Sequence, residues 1–503
     1  MEARPEVGNL PISKETGPET PELTGEEVRL GNLDPLKKIK RIPVFVGILA
    51  MFGPGVVWAA MAQGSGELIW WPYLVAKYGT AFIGIILPAC LLQLWVNVEI
   101  GRYTATTGET IFTGFTRVHK AYAALMWVMM LAAFFWFGGY ASGGASALAA
   151  LTGFPAGWSA RGSTLFWSYL TIIVFSSAII FGKVVYRVIE KFMTGIVIIT
   201  VVGLVLAAFN PEVTKHVGTF FANYFAPWTA SFPVKFDPKD YDPLATAIAF
   251  AGMGGFFNLM YSYWLRDKGV CTAKYIGRIT SPLTGEPESI PATGYVFADT
   301  EENRKNYRGW IKYLWADSGF AIGVNAFTLM LTSLLAYALL LPKGLVPKGW
   351  EIAVVQATFF QTSWGAIGRA IFLLVAAAFL SDTWLGITDA VARMHADFFY
   401  SNFPGLRKYQ FRSVYYFWVA FLILVSASTM LIAAPGTLLL LGGVVNFLSM
   451  AIYIPALIYL NYFMIPKVFP KWTRPSNVNL AFTSVIGAIF AGLSLWYLKI
   501  KFF

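Results

Sequence analysis

Charged side chains are scarce in this chain of 503 residues. Asp, Glu, Lys and Arg make up 13 % of it, whereas 57 % is hydrophobic. Soluble proteins carry roughly 25 % charged residues, and so few charges cannot cover that much apolar surface in water. The composition therefore excludes most soluble enzymes and indicates a protein that is surrounded by lipid.

Cysteine and histidine are also rare. The two cysteines, Cys90 in an apolar run and Cys271 in a polar one, predict neither a disulfide nor a metal cluster. The three histidines are placed outside the apolar runs, and no two aspartates share a depth in neighbouring runs. Without a Ser-His pair, an Asp pair or a His-Glu-x-x-His motif there, we expect no enzyme activity and no cofactor. Because a Walker-type glycine loop is missing as well, an ion gradient rather than ATP is the expected energy source.

Long apolar runs fill most of the chain. A membrane-spanning helix needs about 20 mostly apolar residues, and about eleven segments meet this requirement. They are residues 44–75, 82–101, 123–151, 165–181, 192–209, 243–265, 313–341, 356–381, 415–434, 438–462 and 480–498. We number them spans 1 to 11, and they predict an all-α polytopic membrane protein.

The net charge of +11 is concentrated between the spans. Lys and Arg cluster before span 1 and then in every second loop, at residues 102–120, 183–191, 266–312, 393–412 and 467–474. Because positively charged loops stay in the cytoplasm, we predict a multi-pass protein of the cell membrane with a cytoplasmic N-terminus. An odd number of spans then places residues 499–503 outside. The lipid bilayer is the expected partner of this surface, and nucleic acid is not.

Two spans are interrupted by glycine and polar residues. Span 1 contains Gly53-Pro54-Gly55 and then Gln63-Gly64-Ser65-Gly66-Glu67, and span 6 contains Gly252-Met253-Gly254-Gly255 with Asn258 shortly after. Unwound backbone is tolerated at membrane depth only where it faces protein or a water-filled cavity. The alternative is a purely structural role, in which the glycines only allow close helix packing. Paired breaks in the first helix of each five-span half favour an inverted-repeat secondary transporter with its substrate between the half-helices.

These features divide the chain into five predicted parts. They are a disordered cytoplasmic tail (1–40), a first five-span repeat (41–210), an external loop (211–242), a second five-span repeat (243–463) with a cytoplasmic loop (266–312), and a final loop with span 11 (464–503).

Several motifs resemble the NRAMP divalent-metal transporters. The resemblance is carried by Gly53-Pro54-Gly55, Tyr78-Gly79, Gln93, Gly101-Arg102, Thr107-Gly108, Ala145 to Pro155, Tyr186-Arg187 and Glu190. It is weaker in the C-terminal half, where Asn446 and Pro455 are similar to positions of the family's tenth helix. The resemblance implies a LeuT-like fold and proton-linked uptake of ions such as manganese or iron.

The family's functional residues are replaced in this chain. Gly64-Ser65-Gly66-Glu67 stands where the family has Asp-Pro-Gly-Asn, and Gly255-Phe256-Phe257 stands where it has Met-Pro-His. Two acidic positions of the family's third helix are Phe137 and Tyr140 here. The soft thioether ligand and the proton-carrying side chains are therefore missing. We interpret the chain as a divergent member with a rebuilt site, and three alternatives stay open for the coupling ion: a proton, sodium or none.

Glu67 carries most of the functional prediction, because an ionisable residue at mid-membrane is costly and by default functional. The alternative is a protonated carboxyl that only stabilises the broken helix. The predicted substrate-binding residues are Gln63, Gly64, Ser65, Glu67, Gly252, Gly255 and Asn258, with Glu67, Ser65 and Asn258 as metal ligands. Such oxygen ligands suit magnesium or another hard cation.

An organic substrate is the rival interpretation. Replacing a methionine by Gly255 is expected to enlarge the pocket, and six aromatic residues are predicted to line it: Trp70, Trp136, Tyr140, Phe256, Phe257 and Tyr261. These rings and Glu67 would hold a small organic cation or an amino-acid-like solute. Simple packing is the alternative for each ring, since 17 % of the chain is aromatic.

Other acidic residues are expected to form gate or stability pairs. We predict that Glu99 pairs with Arg102 and that Asp382 and Asp389 pair with Arg393. Asp317, near the start of span 7, is expected to face the cytoplasmic vestibule, where coupling ions pass.

Overall fold

The computed structural model describes residues 19–230 and 232–502, without the side chain of Ser65. Its α-helices are Ile48–Met51, Pro54–Ala62, Trp71–Tyr78, Ile86–Thr107, Ile111–Val118, Lys120–Phe134, Gly138–Thr152, Ala160–Phe181, Val185–Ala208, Pro211–Phe225, Tyr241–Phe250, Phe256–Lys268, Glu301–Leu335, Thr358–Asn402, Phe411–Thr429, Pro435–Ile458 and Asn477–Phe502. Wider π-helical turns occur at Gln63–Trp70, Ala336–Leu340 and Tyr459–Met464. The strands are β1 (Leu23–Val28), β2 (Leu36–Ile39) and β3 (Tyr295–Phe297).

The predicted all-α polytopic architecture is confirmed. Within the described residues, nine helices are long and apolar enough to cross a membrane. They correspond to spans 2 to 5 and 7 to 11, and the two remaining spans, 1 and 6, are each built from shorter pieces. Span 1 packs against spans 5, 6, 7 and 8, so the interrupted helices lie at the centre of the bundle.

Span 1 departs from a regular helix at two points, and the second point differs from the prediction. The inner piece Pro54–Ala62 begins after a break at Gly53. At Gln63–Trp70 the chain is not unwound but widens into a π-helix that leads directly into Trp71–Tyr78. A π-turn keeps the backbone hydrogen-bonded with a looser spacing, which explains how the glycines and Glu67 are accommodated without an exposed break.

Span 6 is unwound as predicted. Its helices Tyr241–Phe250 and Phe256–Lys268 are separated by residues 251–255. Gly252 and Gly255 have φ angles of 74° and 73°, and Met253 has a φ angle of 64°. Positive φ is tolerated by glycine at no steric cost, so the glycine pattern accounts for the break.

The predicted disorder of the tail is wrong for residues 19–40, while residues 1–18 lie outside the described part of the chain. Strands β1 and β2 pair in antiparallel fashion, and β2 pairs in parallel with β3 from the loop between spans 6 and 7. Leu36 and Ile39 are fully buried. The sequence around these two apolar side chains is mostly polar, which is why the sequence predicts disorder. Their burial provides the contacts that order the segment.

Spans 7 and 8 are longer than predicted. The helix of span 8 continues to Asn402, so His395 lies inside a helix and is fully buried, not in a loop. Its Nδ1 accepts a hydrogen bond from Trp127 Nε1 at 2.8 Å, and its ring stacks on Trp418 at 4.2 Å. The histidine is therefore a packed core residue.

Candidate functional site

Glu67 lies in the π-helical turn of span 1 and is 1 % exposed. The Thr328 hydroxyl of span 7 donates to its Oε2. The amide of Asn325, one turn away, is assigned the orientation in which its nitrogen lies 3.3 Å from Glu67 Oε1 and 3.2 Å from the Ala59 carbonyl. No Lys or Arg in residues 19–230 and 232–502 forms an ion pair with Glu67.

A small cavity adjoins Glu67 between spans 1, 5, 7 and 8. Its polar lining comes from Gln63, Glu67, Thr200 and Thr332, and its apolar lining from Leu68, Leu204, Phe360, Phe372, Val375 and Phe379. Both amide atoms of Gln63 are buried without a hydrogen bond to the described residues. The cavity has room for about one water molecule, which is also the space that one small ion needs.

The glycines of this turn allow close approach of two other spans. A β-carbon on Gly64 would collide with the Thr383 side chain of span 8. A β-carbon on Gly66 would lie 2.8 Å from the carbonyl oxygen of Phe250, the last helical residue before the span 6 break. The two interruptions therefore touch at Gly66. The side chain of Ser65, a predicted ligand, lies outside the described structure, so its role stays a prediction.

The predicted residues of span 6 do not join Glu67. Asn258 donates to Gln93 Oε1 at 2.7 Å and to the Tyr453 hydroxyl at 3.0 Å. Gly252 packs against Cys90 and Gln93 of span 2. The predicted ligand set of Glu67, Ser65 and Asn258 is thus divided, because the first turn of Phe256–Lys268 directs Asn258 towards spans 2 and 10.

Gly255 does not enlarge a pocket, contrary to the prediction. A β-carbon there would lie 2.6 Å from the Asn446 Cβ of span 10. The Asn446 Oδ1 also accepts the Phe256 N–H at 2.9 Å. The Asn446 side chain therefore fills the space beside Gly255 and satisfies a backbone group that the break leaves free.

The six aromatic residues do not form one cage. Trp136, Tyr140 and Phe257 line a second narrow cavity between spans 3, 6 and 10. No Asp or Glu contributes to the lining of this cavity in the described chain. The other three rings lie elsewhere: Trp70 packs on Tyr73, Phe256 on Phe134, and Tyr261 on Trp58.

Two of the three predicted ion pairs between an acidic residue and an arginine are present. Glu99 accepts from Arg102 at 3.2 Å, and Asp389 pairs with Arg393 at 2.9 Å. The pairing of Asp382 with Arg393 is wrong, because eleven residues of helix separate them by about 16 Å along the axis. Asp382 is fully buried, and its Oδ2 has no hydrogen bond to the described residues.

Sequence reasoning missed Thr328, Asn325, Thr200 and Thr332 as neighbours of the Glu67 site. The residues Asn325, Thr328 and Thr332 are spaced three and four apart in an otherwise apolar run, which places them on one helix face. That spacing was the available signal for span 7. The sequence of span 5 has no such spacing of polar residues around Thr200, whose position in the site depends on how span 5 packs.

In the described residues, eleven spans surround two touching interruptions and a buried carboxylate that pairs with no Lys or Arg, and this arrangement is that of a polytopic membrane protein with the LeuT-like fold. The manganese transporter of Eremococcus coleocola shares this fold. A mutant of that transporter superimposes with a TM-score of 0.63 at 10 % identity, over 95 % of this chain and 90 % of that chain. The transporter in complex with an aromatic bis-isothiourea compound gives a TM-score of 0.60 at 11 % identity, over 90 % and 94 %.

A second similar structure is that of MhsT in complex with L-phenylalanine. It has a TM-score of 0.50 at 15 % identity and covers 89 % of this chain and 98 % of that chain. No family model matches the sequence, and no curated protein does. The resemblance to the NRAMP transporters is thereby confirmed at the level of the fold.

Proposed function

We propose that this protein is a secondary transporter that works by alternating access around Glu67. The proposal is supported by the shared fold, by the two interrupted spans that touch at Gly66, and by a cavity beside them. Under it, the repeats are residues 41–210 and 243–463, the N-terminus is cytoplasmic, and no enzyme activity is expected.

The proposed cargo is a divalent cation with a preference for oxygen ligands, such as magnesium. The observation that carries this proposal is the Glu67 carboxylate, which is buried with only neutral hydrogen-bond donors around it. A buried carboxylate without a counter-charge costs several kcal/mol, and a bound cation removes that cost. Among the described residues, the polar groups that line the cavity beside it are one carboxylate, one amide and two hydroxyls, set among six apolar side chains. Oxygen groups of this kind suit a hard ion.

Uptake into proteoliposomes tests the proposal. Purified protein is assayed with magnesium, manganese and calcium under imposed proton or sodium gradients. We expect saturable uptake of a divalent ion, and we expect the isosteric Glu67→Gln to abolish it because the charge that balances the ion is gone. Glu212→Gln, at an exposed external carboxylate, is the matched control and should transport like the wild type. Uptake by Glu67→Gln at the wild-type rate would refute the ligand role of Glu67.

A small organic cation or amino-acid-like solute is the second candidate. It is favoured by the aromatic cavity of Trp136, Tyr140 and Phe257, since aromatic faces attract ammonium groups. Adding quaternary ammonium compounds and phenylalanine to the same screen separates the candidates. Uptake of either compound without any divalent ion would replace the metal proposal.

A further inference from the structure

Span 7 presents several polar side chains on one face to the centre of the bundle. Six of its buried residues are polar, and apart from Ser333 they share this face: Asp317, Ser318, Asn325, Thr328 and Thr332. At 3.6 residues per turn they fall on one side of the helix Glu301–Leu335. Glu67 contacts this face at Thr328 and Asn325, and Asp317 lies on the same face, about 16 Å nearer to the N-terminal end of span 7.

Asp317, like Glu67, is a buried carboxylate that is hydrogen-bonded only to neutral donors. It is fully buried, and its Oδ2 accepts the Gly55 N–H at 2.7 Å and the Tyr261 hydroxyl at 2.8 Å. Its Oδ1 has no hydrogen bond to the described residues. No Lys or Arg of the described residues forms an ion pair with Asp317. The carboxylate is therefore held in place by neutral donors, with one oxygen free.

A second unpartnered oxygen belongs to Asn97, whose side chain contacts the residue that follows Asp317. Asn97 of span 2 donates to the Ser318 hydroxyl at 3.1 Å. The Asn97 Oδ1 is buried without a partner among the described residues. Two unpartnered oxygens, one of them a carboxylate, thus lie around residues 317 and 318, and oxygens of this kind are what a hard cation binds.

We propose that Asp317 is a second binding position for the transported cation, which the ion occupies after leaving Glu67 on its way along span 7. This inference rests on the proposed function. The two carboxylates are too far apart to share one ion, so they act in sequence. The ion is handed from the position between spans 1 and 7 to the end of span 7 that adjoins β3, which is the cytoplasmic end in the proposed orientation.

A purely structural role does not require a charge at residue 317. The amide oxygen of an asparagine would accept the same hydrogen bonds from Gly55 and Tyr261, so Asp317→Asn keeps both contacts. It removes only the negative charge, which a bound cation needs. Tyr261→Phe does the reverse, because it removes one contact and leaves the carboxylate.

The experiment compares the two faces of the protein in sealed right-side-out and inside-out vesicles. For Asp317→Asn we expect the KM for the divalent ion on the cytoplasmic face to rise about tenfold or more, as for the loss of one charged contact. The KM on the external face should stay within about twofold, since Glu67 is intact. Asp317→Glu and Tyr261→Phe should keep the wild-type ratio of the two KM values.

Each outcome has a distinct meaning. If Asp317→Asn keeps the wild-type ratio, Asp317 is only structural and the inference is overturned, while the role of Glu67 stands. If Tyr261→Phe changes the ratio as much as Asp317→Asn does, the hydrogen bonds rather than the charge are responsible, and the inference is again overturned. If Glu67→Gln transports normally, the proposed ligand role of Glu67 fails, and with it the transfer of the ion from Glu67 to Asp317. Size-exclusion profiles and thermal unfolding verify that each variant is folded.

Discussion

At the scale of single residues, the buried carboxylates differ in what neutralises them. Glu99 and Asp389 pair with arginines, so their charges are balanced within the protein. Glu67, Asp317 and Asp382 have no such partner among the described residues. Under the proposed function, this contrast separates charges that stabilise the fold from charges that are available to a ligand.

Gly255 provides a residue-scale prediction. Gly255→Met, which restores the residue type of the resembled family, places a side chain against Asn446 at a φ angle of 73°. We expect a loss of about 2–4 kcal/mol of stability from overpacking and backbone strain, measured by thermal unfolding in detergent. Gly319→Ala in span 7, where a β-carbon meets nothing within 4 Å, is the control and should be neutral. An unchanged melting temperature for Gly255→Met would show that Asn446 moves aside freely.

The candidate site was predictable in part at this scale. Glu67 was found from sequence because a single acidic residue stood out in an apolar, glycine-rich segment. Its partners Thr328 and Asn325 were missed, because they lie about 260 residues away and only the packing of spans 1 and 7 brings them to it. The separation of Asn258 from Glu67 was unpredictable for the same reason, since one residue of rotation decides which neighbour a side chain meets.

At the scale of elements, a buried ion pair helps to hold the segment containing β1 and β2 against the rest of the protein, in addition to the pairing of β2 with β3. Glu109 and Arg117 are buried and joined at 2.6 Å. The Arg117 guanidinium also donates to the Leu30 carbonyl at 2.5 Å, and Glu109 accepts the Gly294 N–H at 2.8 Å. The pair therefore connects the N-terminal segment, the helix Ile111–Val118 and the loop before β3.

Glu109→Gln should lower the free energy of unfolding by about 3–5 kcal/mol at pH 7, since it leaves Arg117 buried without a counter-charge. Burial raises the pKa of Glu109, but Arg117 opposes this and holds the pKa below its ordinary value of 4.5. A lowered pKa in the folded state means that the stabilisation is present above pH 4.5 and is lost as the pH falls further. Unfolding titrations at pH 7 and below 4.5 should thus show the wild type approaching the variant, and a constant difference would contradict this.

The elements themselves were largely visible in the sequence. Apolar runs located the spans, and glycine clusters located the departures from regular helix in spans 1 and 6. The extensions of spans 7 and 8 beyond the membrane were missed, because helix Thr358–Asn402 carries buried charged residues at its end that read as a loop. Hydrophobicity alone cannot distinguish a polar loop from a polar helix that is covered by protein.

At the scale of the whole molecule, the fold persists at about 10 % identity to the Eremococcus coleocola transporter. The pattern that specifies the architecture is the alternation of apolar spans with two interruptions, which many sequences satisfy. The chemistry at the interruptions is set by a handful of side chains. The fold by itself therefore does not determine the substrate.

The two ends of the described chain should lie on opposite sides of the membrane. Lys501 near the end of span 11 pairs with Asp242 at the start of span 6, at 2.7 Å. In contrast, β2 contacts β3 in the loop that follows span 6. An N-terminal tag should be labelled only in permeabilised cells, and a C-terminal tag should be labelled in intact cells. Labelling of both tags from the same side would mean that the number of spans is even.

The parallel pairing of β2 with β3 has a consequence for biosynthesis. Lys37 pairs with Tyr295, so the second partner leaves the ribosome about 260 residues after the first. At about 5–20 residues per second, β2 waits roughly 13–50 s while six spans enter the membrane. Throughout that time its backbone edge is exposed in the aqueous phase and open to chaperones or to a neighbouring nascent chain. The pairing of β2 with β3 is thus a late step of assembly, which can occur only after span 6 has been inserted and its following loop lies on the same side of the membrane as β2.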